Sequence, residues 1–358
     1  MTTHRDIQTR TLRFHTLEAG PADGEPVILL HGFPQTHHMW RHQIPALDDR
    51  YHVFAPDTRG YGGTEKPRVR LSRETLARDI VDFLDALEIE KAHIVGHDWG
   101  GVIAAALALK FPDRVERLAL IDTLVSVWIP WGIHGYWFKC EPEAEAFFAK
   151  YHREFIHSMF SGEEAPYGGP PETPWKAVEA SEGHAAFDGF DPTKHWTPND
   201  VETYVEAFAD PGCWWHAIDY YRHCLPFHIQ RPDPTATGGV AHEFLSNPTV
   251  GAMWRRPDLL FNDPVWQEHF MVFAPEDWQR QFLNPTLYLF SPFLLPQAFE
   301  DGELPPDDYI PNGNPYADSF PHHFPDLRTR GAQCGHFIPE EAPERTNAVL
   351  TAFLAGEI

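Results

Sequence analysis

The chain has 358 residues, 42% of them hydrophobic, too long and too apolar for a stapled mini-domain or a disordered segment. Its 28 basic against 52 acidic residues leave a formal charge of −24, without the basic footprint that nucleic-acid binding needs. Four cysteines (Cys140, Cys213, Cys224, Cys334) contain no C-x-x-C pair, so neither a disulfide framework nor a zinc-finger pattern is expected. No apolar run reaches membrane-spanning length and residues 1–10 carry no apolar signal core, so the expected location is the cytoplasm.

The first third alternates short apolar runs with turns. Val27–Leu30, Val53–Ala55, His93–Val95 and Leu118–Ile121 have strand length and read as strands covered on both faces of a parallel sheet. Between the second and third, Leu76, Ile80, Phe83, Leu84 and Leu87 repeat at helical spacing, which predicts a helix over 74–88. An alanine- and leucine-rich helix is expected from Gly101 to Lys110. This rhythm is that of a doubly wound α/β sheet. From about Thr123 to Arg280 it gives way to aromatic helices and Pro/Gly-rich stretches. It returns with a strand at Pro285–Phe290 and an amphipathic helix at Ala342–Leu354. The expected division is a core of 1–122 plus 281–358 and an inserted, mainly helical cap or lid of 123–280. An extra segment of that insertion, about 224–280, carries no recognisable motif. Leu304–Pro315 reads as an exposed loop.

Three short segments carry chemistry. Gly96-His97-Asp98-Trp99-Gly100 follows a buried strand and opens a helix, the setting of a nucleophile elbow with aspartate in the serine position. A carboxylate there faces the positive end of a helix and stays ionised; the plainer alternative is an N-cap aspartate. His31-Gly32-Phe33-Pro34 follows the first apolar strand, where the Phe33 and Trp99 N–H groups would make an oxyanion hole. Gly335-His336 sits late in the chain, where the order nucleophile, acid, histidine puts the base. His37-His38 reads as surface in preference to ligand. No H-E-x-x-H or Cys/His set points to a metal, and no cofactor is expected.

HGFP, DTRGYGGTEKP (Asp57–Pro67), VGHDWGG and CGHF, in that order, resemble the α/β-hydrolase superfamily, and specifically its aspartate-nucleophile branch of epoxide hydrolases and dehalogenases. The resemblance implies an α/β-hydrolase fold with a cap. In it Asp98 attacks carbon to form an alkyl-enzyme ester, and His336 activates the water that hydrolyses it. It also implies an acid for His336. The usual epoxide hydrolase site for that acid, after the strand ending at Phe290, holds Ser291-Pro292-Phe293 and no carboxylate. Asp122, where dehalogenase relatives are similar, is therefore the expected partner, with Glu300 and Asp301 as fallbacks.

Epoxide opening needs acidic O–H donors from the cap, and halide departure needs N–H donors. The pair Tyr221-Arg222 is similar to the late-cap pair of epoxide hydrolases, which makes Tyr221 a ring-opening acid. Tyr136 would be the second donor in one register; His134, or Tyr136 with Trp137, would form a halide or carboxylate cradle in another. Epoxide hydrolysis is the preferred expectation. A dehalogenase is the alternative, and a non-catalytic binding protein of the same fold comes third. Ten of the 12 tryptophans fall in 123–280 and two, Trp40 and Trp99, in the core. That distribution suggests a bulky, apolar or aromatic small-molecule substrate. A homodimer is compatible with the insertion.

Overall fold

Strands as apolar as Val27–Leu30 cannot sit at a wet edge, and they lie in the middle of the sheet. A computed structural model describes residues 2–126, 138, 141–161, 194–224, 277–299, 301–311 and 315–358. Its eight-stranded sheet has the order β1-β2-β4-β3-β5-β6-β7-β8. In sequence these are β1 (Thr3–Gln8), β2 (Arg13–Ala19), β3 (Glu25–Leu30) and β4 (Tyr51–Pro56), then β5 (Ala92–His97), β6 (Val115–Ile121), β7 (Thr286–Phe290) and β8 (Leu327–Gly331). From β4 to β8 all neighbours are parallel; β1 and β2 add an antiparallel edge. The α/β-hydrolase architecture is thus present, with the predicted strands at its centre.

Three strands went unread in the sequence. β1 (THRDIQ) is an exposed edge strand with one buried residue, and β2 buries only Phe14, Thr16 and Ala19, with no continuous apolar run. β8 (LRTRG) has no apolar run, although Thr329, Arg330 and Gly331 are buried. β2 and β8 gain their place from backbone pairing with β4 and β7, whose apolar pattern is legible, and β1 from pairing with β2.

Helix α1 (Arg73–Ala86) starts at Ser72, whose hydroxyl accepts the Thr75 N–H at 3.1 Å. Its apolar face of Leu76, Ile80, Phe83 and Leu84 is buried, and it packs beside α2 (Trp99–Lys110). Helix α2 is buried from Trp99 through Leu109, as an all-apolar helix must be. The closing helices are α6 (Pro315–His323) and α7 (Pro343–Leu354). Between β6 and β7 lie α3 (Glu143–Ser161), α4 (Pro198–Ala207) and α5 (Pro211–Cys224), with α3 packed on both others. β6 and β7 are nonetheless direct neighbours, Leu118 opposite Thr286, so the sheet joins residues from both ends of the chain. Contact with the core resumes at Asp277, which ion-pairs with Lys110 at 2.9 Å, and at Trp278, which packs on His322. Nearly all of the extra segment at 224–280 lies outside the described residues.

Candidate active site

The elbow is built by close backbone approach. A Cβ on Gly96 would stand 2.3 Å from the Gly100 carbonyl oxygen, and one on Gly100 would stand 2.1 Å from that of Leu30. Only hydrogen fits at either position, so β5 turns sharply into α2. Asp98 at the apex takes φ 50° and ψ −122°, in a region that L residues avoid. Its side chain makes no cap bond, which sets aside the N-cap reading. Oδ1 instead accepts the Phe33 N–H at 2.7 Å. The preceding residue, Gly32, has no room for a Cβ, which would lie 2.4 Å from Asp98 Oδ1.

His336 stands across from the elbow. Its Nε2 is 3.6 Å from Asp98 Oδ2, longer than a good hydrogen bond, and its Nδ1 donates to Asp122 Oδ2 at 2.8 Å. The chain order Asp98, Asp122, His336 therefore becomes a line in space. Asp122 follows β6 directly, at φ 39°, and is fully buried. It accepts the Ser291 N–H at 2.8 Å and the Ser291 O–H at 3.0 Å. The position that lacks an acid thus supplies two donors to an acid one strand away. Asp301 is exposed and so is unsuited to orienting a buried imidazole. Glu300 lies outside the described residues.

Burial alone would depress the His336 pKa. Hydrogen bonds and charge from Asp122 and Asp98 outweigh it and lift the imidazole to about 10. Burial pushes the Asp122 carboxyl up, against the opposing pull of His336 and Ser291. Asp98 moves down: burial is overcome by His336, with His97 and the Phe33 N–H assisting. The resting arrangement is a cationic imidazole between carboxylates. A raised histidine contributes stability that is fully present below its ordinary pKa of 6.5 and is lost as pH rises through about 10. The wild type is therefore expected to lose more thermal stability between those pH values than Asp122→Asn. Equal slopes of Tm against pH would remove Asp122 as the partner.

Two supports of His336 escaped the sequence. Glu341 accepts N–H bonds from Gly335 and, at 2.8 Å, from Phe337, gripping the backbone on both sides of His336. Burial pushes its carboxyl up to about 7. His97 donates from Nε2 to the His336 carbonyl at 2.9 Å, and burial next to cationic His336 holds it down at about 3. The motif containing His97 was visible, but nothing in spacing assigns an inner-facing strand residue to a loop after β8.

Tyr221 is buried with its ring centroid 5.0 Å from Trp99 and 5.6 Å from Phe33, the two residues flanking the Asp98 carboxylate. Helix α5 is seated there by the Asp57–Pro67 loop. Tyr220 donates to the Arg59 carbonyl at 2.9 Å and His216 Nε2 to that of Pro67 at 3.0 Å. Arg59 is in turn clamped by Asp79 through two bonds of 2.6 Å. Tyr136, His134 and Trp137 lie outside the described residues. Phe138 is described and packs 4.9 Å from the Tyr221 ring.

Four of the ten tryptophans of 123–280 lie among the described residues. Trp214 stacks on Phe148, Trp215 lies under Arg68, and Trp278 packs on His322 and His323. Trp196 alone of these four reaches the neighbourhood, 5.8 Å from Phe337. Indoles at helix surfaces cover helix–helix and helix–core contacts, so their number does not measure a pocket. Around Phe33 pack the rings of Phe138, Phe155, Phe208 and Tyr221.

No helix among the described residues is long and apolar enough to cross a membrane. Residues 25–155 match the family model of the alpha/beta hydrolase fold. The chain is similar to a soluble epoxide hydrolase of Corynebacterium sp. (strain C12), 40% identical over 122 residues. That match covers 34% of this chain and 42% of the relative, so less than half of the latter's length is spanned. It is 32% identical over 227 residues to the AB hydrolase superfamily protein YfhM of Bacillus subtilis (strain 168), covering 60% of this chain and 71% of that one. Among solved structures, the epoxide hydrolase CorEH without ligand aligns with TM-score 0.67 and 21% identity over 100% of both chains, a likeness of fold.

Proposed function

The chain belongs to the α/β-hydrolase superfamily, and from that premise we propose that it is an epoxide hydrolase working through an ester on Asp98. The observation that carries the proposal is the line Asp98–His336–Asp122 with the Tyr221 ring set against Phe33 and Trp99. Residues 123–280 act as the cap that brings Tyr221 over the core.

Asp98 Oδ1 is held by Phe33, which leaves Oδ2 to attack an epoxide carbon. The C–O bond of the ring breaks as the ester bond forms, and Tyr221 gives its proton to the departing oxygen. Esterification removes the Asp98 charge, one of the two that keep His336 protonated. The imidazolium then gives up a proton, in net terms to the Tyr221 phenolate left by ring opening, and the neutral imidazole accepts one from water. That water attacks the Asp98 carboxyl carbon, the Phe33 N–H stabilises the oxyanion, and the diol leaves. Asp122 stabilises the imidazolium formed.

The aromatic wall around Phe33 supports a bulky apolar or aryl epoxide as substrate. The 40% identity to a soluble epoxide hydrolase supports the reaction class. Carbon–halogen cleavage is the second reading, favoured by the acid following β6 in place of β7.

The deciding experiment is single-turnover reaction in heavy-oxygen water with a panel of aryl and alkyl epoxides and matched haloalkanes. The proposal expects diol from the epoxides and label in the Asp98 carboxylate. Label appearing only in the first-turnover product, or turnover of haloalkanes alone, would overturn it. Tyr221→Phe is expected to slow ester formation from epoxides by ~10²–10⁴-fold, the usual worth of a positioned acid. Any halide release should change far less. Stopped-flow detection of the ester checks this, and undiminished epoxide opening would remove Tyr221 from the mechanism.

A further inference from the structure

His4 in β1, His15 in β2 and His37 in the turn after β3 form a cluster unconnected with the proposed chemistry. The β1–β2 ladder sets Asp6 opposite His15, and His4 precedes Asp6 by two residues, so all three share one face of the hairpin. His37 meets that face from the core. The three rings touch pairwise, with centroids 5.2, 5.3 and 5.3 Å apart. One ring nitrogen from each lies within 4.8 Å of the others.

The hydrogen bonds show which ring nitrogens are already engaged. His37 Nδ1 is taken by Asp57 Oδ1 at 2.8 Å, and His15 Nδ1 by Asp6 Oδ1 at 3.4 Å. That leaves Nε2 of both rings, and His15 Nε2 is 3.1 Å from His4 Nδ1. Two imidazole lone pairs that close repel unless a proton or a cation lies between them. Asp57 is buried and fixed by the N–H groups of His37 and Gly63, each at 2.9 Å, so it holds its imidazole rigidly. An imidazole whose far nitrogen is held by a carboxylate is the usual form of a metal-ligating histidine.

We propose that His4 Nδ1, His15 Nε2 and His37 Nε2 bind a divalent transition-metal ion of the zinc class, with Asp6 and Asp57 orienting two of the three rings. Two nitrogens on a tetrahedral zinc stand about 3.4 Å apart, close to the His4–His15 separation. The exposed His4 ring has room to close the rest. Nitrogen donors suit zinc, nickel or cobalt; calcium and magnesium want oxygen, and here Asp57 is engaged by His37 and Asp6 by His15 and Arg13. The ion would clasp the edge hairpin to the segment behind Phe33. His38, by contrast, bonds Asp200 at 2.7 Å and takes no part. The sequence alone gave His37 no such role, because its partners come from two other strands.

The test is titration of the untagged full-length chain with Zn²⁺ by calorimetry and with Co²⁺ by visible absorption. One site per chain is expected, with a Kd at or below about 10 μM, and cobalt bands typical of nitrogen coordination. Asp6→Asn should weaken binding by ~10–100-fold, as loss of an orienting carboxylate does. His15→Gln should weaken it at least as much, and His4→Gln, at an exposed position, serves if that variant fails to fold. His322→Gln, beside another histidine, should bind like the wild type. Absence of saturable one-to-one binding, or wild-type affinity in both His4→Gln and Asp6→Asn, would overturn the site.

Discussion

Asp122→Asn is expected to convert the protein into one that forms the ester and then stalls. The variant keeps the shape of the side chain, and one oxygen can still accept from Ser291. What it loses is the charge beside His336 Nδ1, 2.8 Å away. Without that charge the imidazolium formed during ester hydrolysis stands buried with no anionic partner, and the amide can also favour the wrong ring tautomer. Loss of the acid from such a triad costs about 10⁴-fold in rate. Most of that loss should fall on the second step, because the first uses Asp98 and the tyrosine acid. Mass spectrometry of quenched enzyme should then show the protein heavier by one substrate, with about one equivalent of epoxide consumed per chain and little diol released. A variant that turns over normally, or one that never forms the adduct, would show that another carboxylate serves His336.

Asp98→Ala is expected to remove turnover altogether, by at least ~10⁴-fold, the range seen when a covalent nucleophile is deleted. Binding should persist, because the aromatic wall around Phe33 is untouched. The same position carries a second expectation. Asp98 sits at φ 50° and ψ −122°, a conformation costing about 1–3 kcal/mol for a non-glycine residue. Asp98→Gly should thus lose activity just as completely while its Tm stays level or rises relative to Asp98→Ala. Strain of this kind persists only because packing enforces it: the Gly96–Gly100 and Gly100–Leu30 contacts leave the elbow one shape. Measurable turnover in Asp98→Ala would mean that water attacks the substrate directly and that the ester scheme is wrong.

Legibility in the sequence followed the range of each interaction. Val27–Leu30, His93–Val95 and Leu118–Ile121 announce themselves because a doubly covered strand must be apolar along its whole length. The elbow is equally local: two glycines at fixed spacing, a strand before and a helix after. β1, β2 and β8 were invisible because hydrogen bonding to a neighbour, not composition, makes them strands. The tryptophan count is ambiguous in sequence for the opposite reason. A ring that fills a helix contact, as Trp214 does on Phe148, reads the same in sequence as one lining a pocket.

What the sequence by itself determined is the set of chemical groups and their order: a carboxylate at the tip of a strand–helix turn, a late histidine, and several acids able to serve it. Those follow from residue type and short spacing. Which acid meets the histidine was decided only in three dimensions. β6 and β7 lie side by side, so Asp122 and Ser291 end adjacent strands and Ser291 spends its two donors on that carboxylate. Asp301, nearer in sequence to His336, is left in solvent. The bond from His97 to the His336 carbonyl, and the meeting of His4 and His15 with His37, likewise depend on sheet order. Parallel pairing of β6 with β7 brings together residues 169 positions apart, and no local pattern encodes that separation.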